Sequence, residues 1–171
     1  MSSSRSALLR GIAREFCGAF VTGTLPPNEL LSQFFHASPQ IIEHGPERAQ
    51  KRLPFVGTLF KGRRSEQNTS TGTCDDYFDL LGATLALHAH EGSLPAENGY
   101  VVDPDAVYGD QGTGVVFVKA HAKLSSVKTG RTWDEHFVFV LSGFDGAGKI
   151  GQLEIWADNL NAWSAVGDEE I

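Results

Sequence analysis

Apolar residues recur at spacings of three and four in the first part of the chain and alternate with polar ones toward its end. Leu8, Leu9, Ile12, Phe16, Ala19 and Phe20 predict an amphipathic helix over 4–20, with Ser4 or Ser6 able to cap its start and Thr22-Gly23 ending it. Pro26-Pro27 opens a short second helix through Leu30, Leu31, Phe34 and Phe35, because proline is favoured in a first turn. Residues 39–44 read as a short strand closed by Gly45-Pro46. A polar connection over 47–72 follows, interrupted by the apolar piece 53–60; so long a connection usually serves a function or moves. Thr73 to Asp76 is a helix start, and Tyr77, Phe78, Leu80, Leu81 and Leu85 supply the buried stripe. The pattern turns strand-like over 85–91 and turn-rich over 92–113.

Strict alternation then dominates. Strands are predicted over 115–127 and 132–141, joined by the turn Lys128-Thr129-Gly130, and over 150–158 after a turn at 143–148. Helices followed by hairpin-linked strands predict an α+β fold. These three strands should form one antiparallel meander of a curved sheet, with the helices of 6–21 and 73–84 on its concave side. There is no internal repeat, and the 171 residues fit a single domain, 1–171, with a core of about 6–165.

The last strand carries the most pointed chemistry. Glu154, Trp156 and Asp158 share one face, while Leu153, Ile155 and Ala157 share the other. A carboxylate beside a large aromatic suits the wall of a binding cavity; a solvent-facing edge explains the same pattern equally well. Histidine titrates nearest neutral pH, so His44 and His136 are candidates to exchange protons with Asp158. His136 shares a face with Val138 and Val140, but Phe137, Phe139 and Leu141 make the other face equally apolar, which leaves the concave side open. His121 alternates with Lys119 and Lys123 and is expected to face outward. His88 and His90 would share one strand face, yet no third residue at diagnostic spacing completes a metal site.

Charge and composition narrow the classes. A formal net charge of −7 argues against a nucleic-acid or anionic-membrane partner, and Lys61-Gly62-Arg63-Arg64 is too short a basic cluster to reverse this. Cys17 and Cys74 are far apart and outside any CxxC, as expected of reduced thiols in a cytoplasmic protein. No apolar run is long enough for a membrane helix, and the first residues show no signal-peptide pattern. Without GxGxxG, a Walker loop or G-x-S-x-G, neither a nucleotide cofactor nor a serine nucleophile is expected. No cofactor is expected at all.

The order of the motifs resembles the SnoaL-like branch of the nuclear transport factor 2-like superfamily. The resemblance rests on the N-terminal helix pair, Pro54-Phe55-Val56-Gly57-Thr58 running to Lys61-Gly62-Arg63, and Tyr77-Phe78 in a helix. It continues through the Thr129-Gly130-Arg131 turn to the closing strand from Gly148-Lys149-Ile150 to Asp158. It implies a cone: a strongly bent, mixed but mainly antiparallel sheet wrapped around helices, with a deep apolar cavity. It also implies a homodimer paired through the sheet, with Phe117 or Phe137 on the outer face, and small-molecule chemistry of the cyclase, isomerase or dehydratase type, in secondary metabolism. Asp158 matches the acid/base aspartate of characterised cyclases in that branch. His44 or His136 would be its partner, and Phe55, Phe60, Tyr77, Phe78, Glu154 and Trp156 would hold an apolar substrate. The extra polar stretch near 66–72 and the long turn 143–147 depart from the pattern. A non-catalytic binding module on the same cone is the alternative.

Overall fold

A computed structural model describes residues 2–107 and 112–167. Helix α1 (Ser2–Thr22) leads into α2 (Pro27–Phe34), which runs directly into β1 (Phe35–His44). After a short 3-10 turn come β2 (Leu59–Lys61), α3 (Cys74–Thr84), β3 (Leu85–His88) and β4 (Tyr100–Val107). The long strands β5 (Thr113–Ser126), β6 (Thr132–Ser142) and β7 (Ile150–Ala157) follow, and α4 (Asn159–Val166) closes the described chain. One seven-stranded sheet has the order β2-β1-β7-β6-β5-β3, with β4 also paired to β5.

The meander β5-β6-β7 is antiparallel throughout, as the alternation predicted. Only β1 and β7 run parallel, which makes the sheet mixed. Three elements escaped the sequence reading: β2, which lies in the stretch read as a connection, β4 and α4. β4 lies in the stretch read as turns, and residues 108–111 of that stretch fall outside the described residues. Its burial alternates, but Asp103-Pro104-Asp105 breaks the apolar pattern. The segment after β7, read as a possible turn, is the helix α4.

The concave face packs on α1. Leu9, Ala13, Phe16 and Cys17, spaced as one helix face, are fully buried. Phe16 meets Phe34, Phe35 and Phe139 edge-on, with ring centroids 5.7, 5.4 and 6.2 Å away. The helix sits close to the turn before β7 because Gly148 offers no side chain: a Cβ there would fall 2.3 Å from Ile12 Cδ1. Thr73 and Asp76 form a reciprocal capping box that starts α3, and Arg63 grips Asp75 through two hydrogen bonds of 3.1 and 3.2 Å. Those bonds fix the rotation of α3, and with it the direction of Tyr77.

Candidate active site

Alternation fixes what faces the helices. On β5 the inner row is Val116, Val118, Ala120, Ala122 and Leu124, opposite Phe117, Lys119, His121 and Lys123. Ala120 pairs with Phe137 and Ala122 with Glu135, so on β6 the inner row is Glu135, Phe137, Phe139 and Leu141. Ile155 and Ala157 supply β7's share, and Ile155 pairs with Glu43 on β1. Between this surface and the helices lies a cavity of about 350 Å³. Its walls are Phe, Leu and Ile, and its polar side chains are Glu43, Tyr77, Glu135 and Asn159. Among the described residues, no Lys, Arg or His lines it.

Glu43 is held firmly. Its backbone bridges to Val56, its carbonyl accepts from Gly57 N–H at 2.7 Å, and the Tyr77 hydroxyl donates to Oε2 at 3.0 Å. The ring of Tyr77 is wedged among Phe55, Phe60 and Phe78, at centroid distances of 6.2, 5.6 and 5.2 Å. Desolvation pushes the Glu43 carboxyl up to about 8; the Tyr77 bond pulls the other way, and the charge of Glu135 adds to the rise. Glu135 is clamped by the indole N–H of Trp133 and by the backbone N–H of Asp158. Burial lifts Glu135 to about 7 against those two donors, with Asp158's charge raising it further. Burial also drives the Tyr77 hydroxyl well above its ordinary value, with Glu43 reinforcing the shift. At neutral pH the pair therefore holds at least one proton in a nearly dry pocket.

Several residues expected at the site lie elsewhere. Glu154 and Trp156 do share a face, but that face is the convex one, and Asp158 lies past the end of β7. Trp156 is 52% exposed and stacks on His44, with ring centroids 3.8 Å apart. His44 Nε2 lies 3.5 Å from Glu154 Oε1, and Gln152 donates to that same oxygen at 3.1 Å. Asp158 is exposed and caps α4, accepting from Leu160 N–H at 3.2 Å and Asn161 Nδ2 at 2.9 Å. His136 is exposed and stacks on the outward His121 at 4.4 Å. Thus the structure does not bring Asp158, His136 and His44 together in the cavity. For His44 and His136 the reason is pleat parity, since on β1 and β6 the residue one step away faces inward; Asp158 lies past the end of β7 and caps α4. Phe137, offered as an outer-face residue, is 6% exposed and inside, whereas Phe117 is 42% exposed and outside.

Tyr77 and Phe78 line the cavity. Phe55 and Phe60 stand one layer behind, as the bed for Tyr77. Glu43 and Glu135, the two buried inward carboxyls, were missed. The signal for Glu135 was present in β5, whose lysines mark the outer face and, through the hairpin register, mark Asp134, His136 and Val138 as outer too. His88 bonds Ser125 Oγ at 2.9 Å, and His90 bonds the Glu91 carbonyl at 2.8 Å. Among the described residues, no group of three or more His, Cys, Asp or Glu is placed to hold a metal ion.

No protein-family model matches the sequence, and no curated protein sequence matches it. Solved structures do. A nuclear transport factor 2-like protein from Burkholderia xenovorans superposes with a TM-score of 0.64 at 14% identity, over 95% of this chain and 98% of the other. A Bacillus subtilis protein provisionally named an isomerase gives 0.62 at 12% identity, over 99% and 97%. A nuclear transport factor 2-like protein of unknown function from Burkholderia pseudomallei gives 0.58 at 14%, over 93% and 97%. The chain therefore has the cone fold of the nuclear transport factor 2-like superfamily, the α+β architecture that its motif order implied.

Proposed function

We propose that the protein is a cofactor-independent enzyme of the SnoaL-like type that moves a proton on an apolar small molecule, in the manner of an isomerase, dehydratase or cyclase. The observation that carries this reading is the pair Glu43 and Glu135. Two desolvated carboxyls, with values of about 8 and 7, sit in one apolar cavity, near the operating pH where acid/base catalysis is most effective. In the isomerase form, ionised Glu135 takes a proton from carbon beside a carbonyl. The C–H electron pair moves into the carbonyl, and the enolate oxygen accepts a hydrogen bond from the protonated Glu43 carboxyl, which Tyr77 holds in place. Where a neighbouring carbon–carbon double bond is conjugated with that enolate, Glu135 returns the proton at the far carbon of that bond, the carbonyl re-forms and the double bond moves next to it. Phe78, Phe137 and Phe139 keep water away, which strengthens each of these electrostatic contacts. The Bacillus subtilis structure that carries the isomerase name supports this direction.

The cavity volume of about 350 Å³ is near the lower end for ligand sites and suits a small ring compound within it. Solvent-deuterium uptake into 2-tetralone, an apolar ketone with an activated methylene, tests the chemistry by NMR. The protein should accelerate the exchange, and Glu135→Gln should remove roughly 10²–10⁴-fold of the acceleration. Exchange unaffected by Glu135→Gln would refute the assignment. One observation favours the binding-module reading: each carboxyl already has an internal donor, Tyr77 or Trp133. In that case the ketone would bind without exchange.

A homodimer through the convex face belongs to the same proposal, because Phe117, Val101 and Trp156 leave large apolar groups exposed there. A cytoplasmic setting fits the two buried free thiols, Cys17 and Cys74. Among the described residues, no helix is long and apolar enough to cross a membrane.

A further inference from the structure

The cavity has a polarity gradient. Its acids, Glu43 and Glu135, are 7% and 4% exposed and mark the deep end. Its exposed lining residues, Gly23, Pro26, Pro27 and Gly82, mark a mouth between the turn joining α1 to α2 and the last turns of α3. Leu25, Leu81 and Leu87 are half-buried around the same opening. None of these rim residues carries a charge, so the opening is as apolar as the walls. A pocket built to close over a compact ligand would leave such a rim wetted to no purpose.

Gly82 is the telling position. It lies within α3, where glycine destabilises a helix relative to alanine. Its backbone is not in the left-handed region, and a Cβ built there would meet nothing within 4 Å. Neither conformation nor packing asks for glycine. Gly11 and Gly18 in α1 have the same freedom, but neither lines the cavity. What Gly82 does supply is clearance, because any longer side chain would project into open space at the mouth.

We propose that the substrate is an uncharged, elongated molecule: a compact carbonyl head reaches Glu43 and Glu135, and an apolar chain leaves over Gly82, which sets the length accepted. This rests on the cavity being the substrate site. Anionic handles such as phosphate or carboxylate are disfavoured at the deep end, since the polar groups there are acids and no cation lines the wall. A chain lying across Leu25, Pro26, Leu81 and Leu87 covers their apolar surface without needing volume inside.

A homologous series of neutral fluorescent probes tests it: the acetyl, propionyl and dodecanoyl ketones of dimethylaminonaphthalene, titrated into the protein. The wild type should bind the dodecanoyl ketone at least as tightly as the propionyl one. Gly82→Leu should weaken the dodecanoyl ketone by about tenfold or more, the usual worth of a blocked apolar subsite, and leave the propionyl ketone within about threefold. Gly82→Ala should change neither, and thermal melts of both variants establish that they fold. A wild type that rejects the long chain, or a Gly82→Leu variant that loses both ketones equally or neither, overturns the proposal while the cavity keeps its role. Failure of every probe to bind overturns the cavity reading, and this proposal with it.

Discussion

The two faces of the same sheet carry similar residues and do opposite things. On the concave side, Glu43 and Glu135 lie among Phe78, Phe137, Phe139 and Tyr77, at the deep end of the cavity. On the convex side, Glu154 lies between His44 and Gln152, under a half-exposed Trp156. Both are carboxylates beside aromatics on adjacent strands. Among the described residues no Lys, Arg or His lines the cavity of the inner acids, and burial raises both of them, whereas Glu154, as buried as Glu43, meets a histidine and an amide. Residue type and strand alternation do not separate these environments; which side the helices cover does.

The largest expected effect breaks the symmetry between the faces. Glu135→Gln should cost roughly 10²–10⁴-fold in 2-tetralone exchange, and His136→Ala, one residue away on the outer face, should stay within about twofold. Equal losses would erase the distinction.

Stability against pH gives the next largest effect. Glu43 and Glu135 have folded values of about 8 and 7, above the ordinary 4.5 expected when unfolded. Each binds its proton more tightly in the folded state, so its stabilising contribution is full below about pH 4.5 and is lost as pH rises through the folded value. Thermal unfolding should therefore show stability falling from pH 5 toward pH 8 by an amount on the order of a few kcal/mol. Glu43→Gln should flatten that fall and be most stabilising, relative to wild type, at pH 8. A flat wild-type profile, or one that rises over this window, would contradict the assignment.

Smaller still is the Tyr77 bond. Tyr77→Phe keeps the ring among Phe55, Phe60 and Phe78 but removes the donor to Glu43, and should cost about 1 kcal/mol in denaturant unfolding. Because that bond lowers the Glu43 value, its loss should also move the alkaline limb of the exchange profile upward. An unmoved limb would dissociate Tyr77 from the acid. Least affected should be Asp158→Asn. The amide still caps α4 and the backbone N–H that Glu135 uses is untouched, so stability should change little, while loss of the Asp158 charge should move the Glu135 step slightly downward.

The elements were legible where periodicity was strong. Leu8, Leu9, Ile12, Phe16, Ala19 and Phe20 announce α1, and the alternation of β5, β6 and β7 announces the meander. β4 was hidden by Asp103-Pro104-Asp105, and α4, no shorter than α2, by the lack of the opening prolines and the Leu and Phe stripe that mark α2. At the site, Tyr77 and Phe78 could be read because they belong to one helical stripe. The acids could not, since β6 is apolar on both faces and a shift of one residue exchanges Glu135 for His136. Lys119 and Lys123 opposite β6 held the answer, but using it required the Ser125 to Thr132 register, which the turn alone does not fix.

The central claim is that burial raises both inner carboxyls, so that at neutral pH Glu43 keeps its proton while Glu135 is partly ionised. Carbon-detected NMR titration of protein labelled at the glutamate side-chain carboxyl carbons tests it directly, with Glu43→Gln and Glu135→Gln assigning the signals. The pair should titrate in two steps near pH 7 and 8, and removal of Glu135 should shift the Glu43 step downward. Completion of all glutamate titrations below about pH 5.5, within the ordinary carboxylate range, would contradict it.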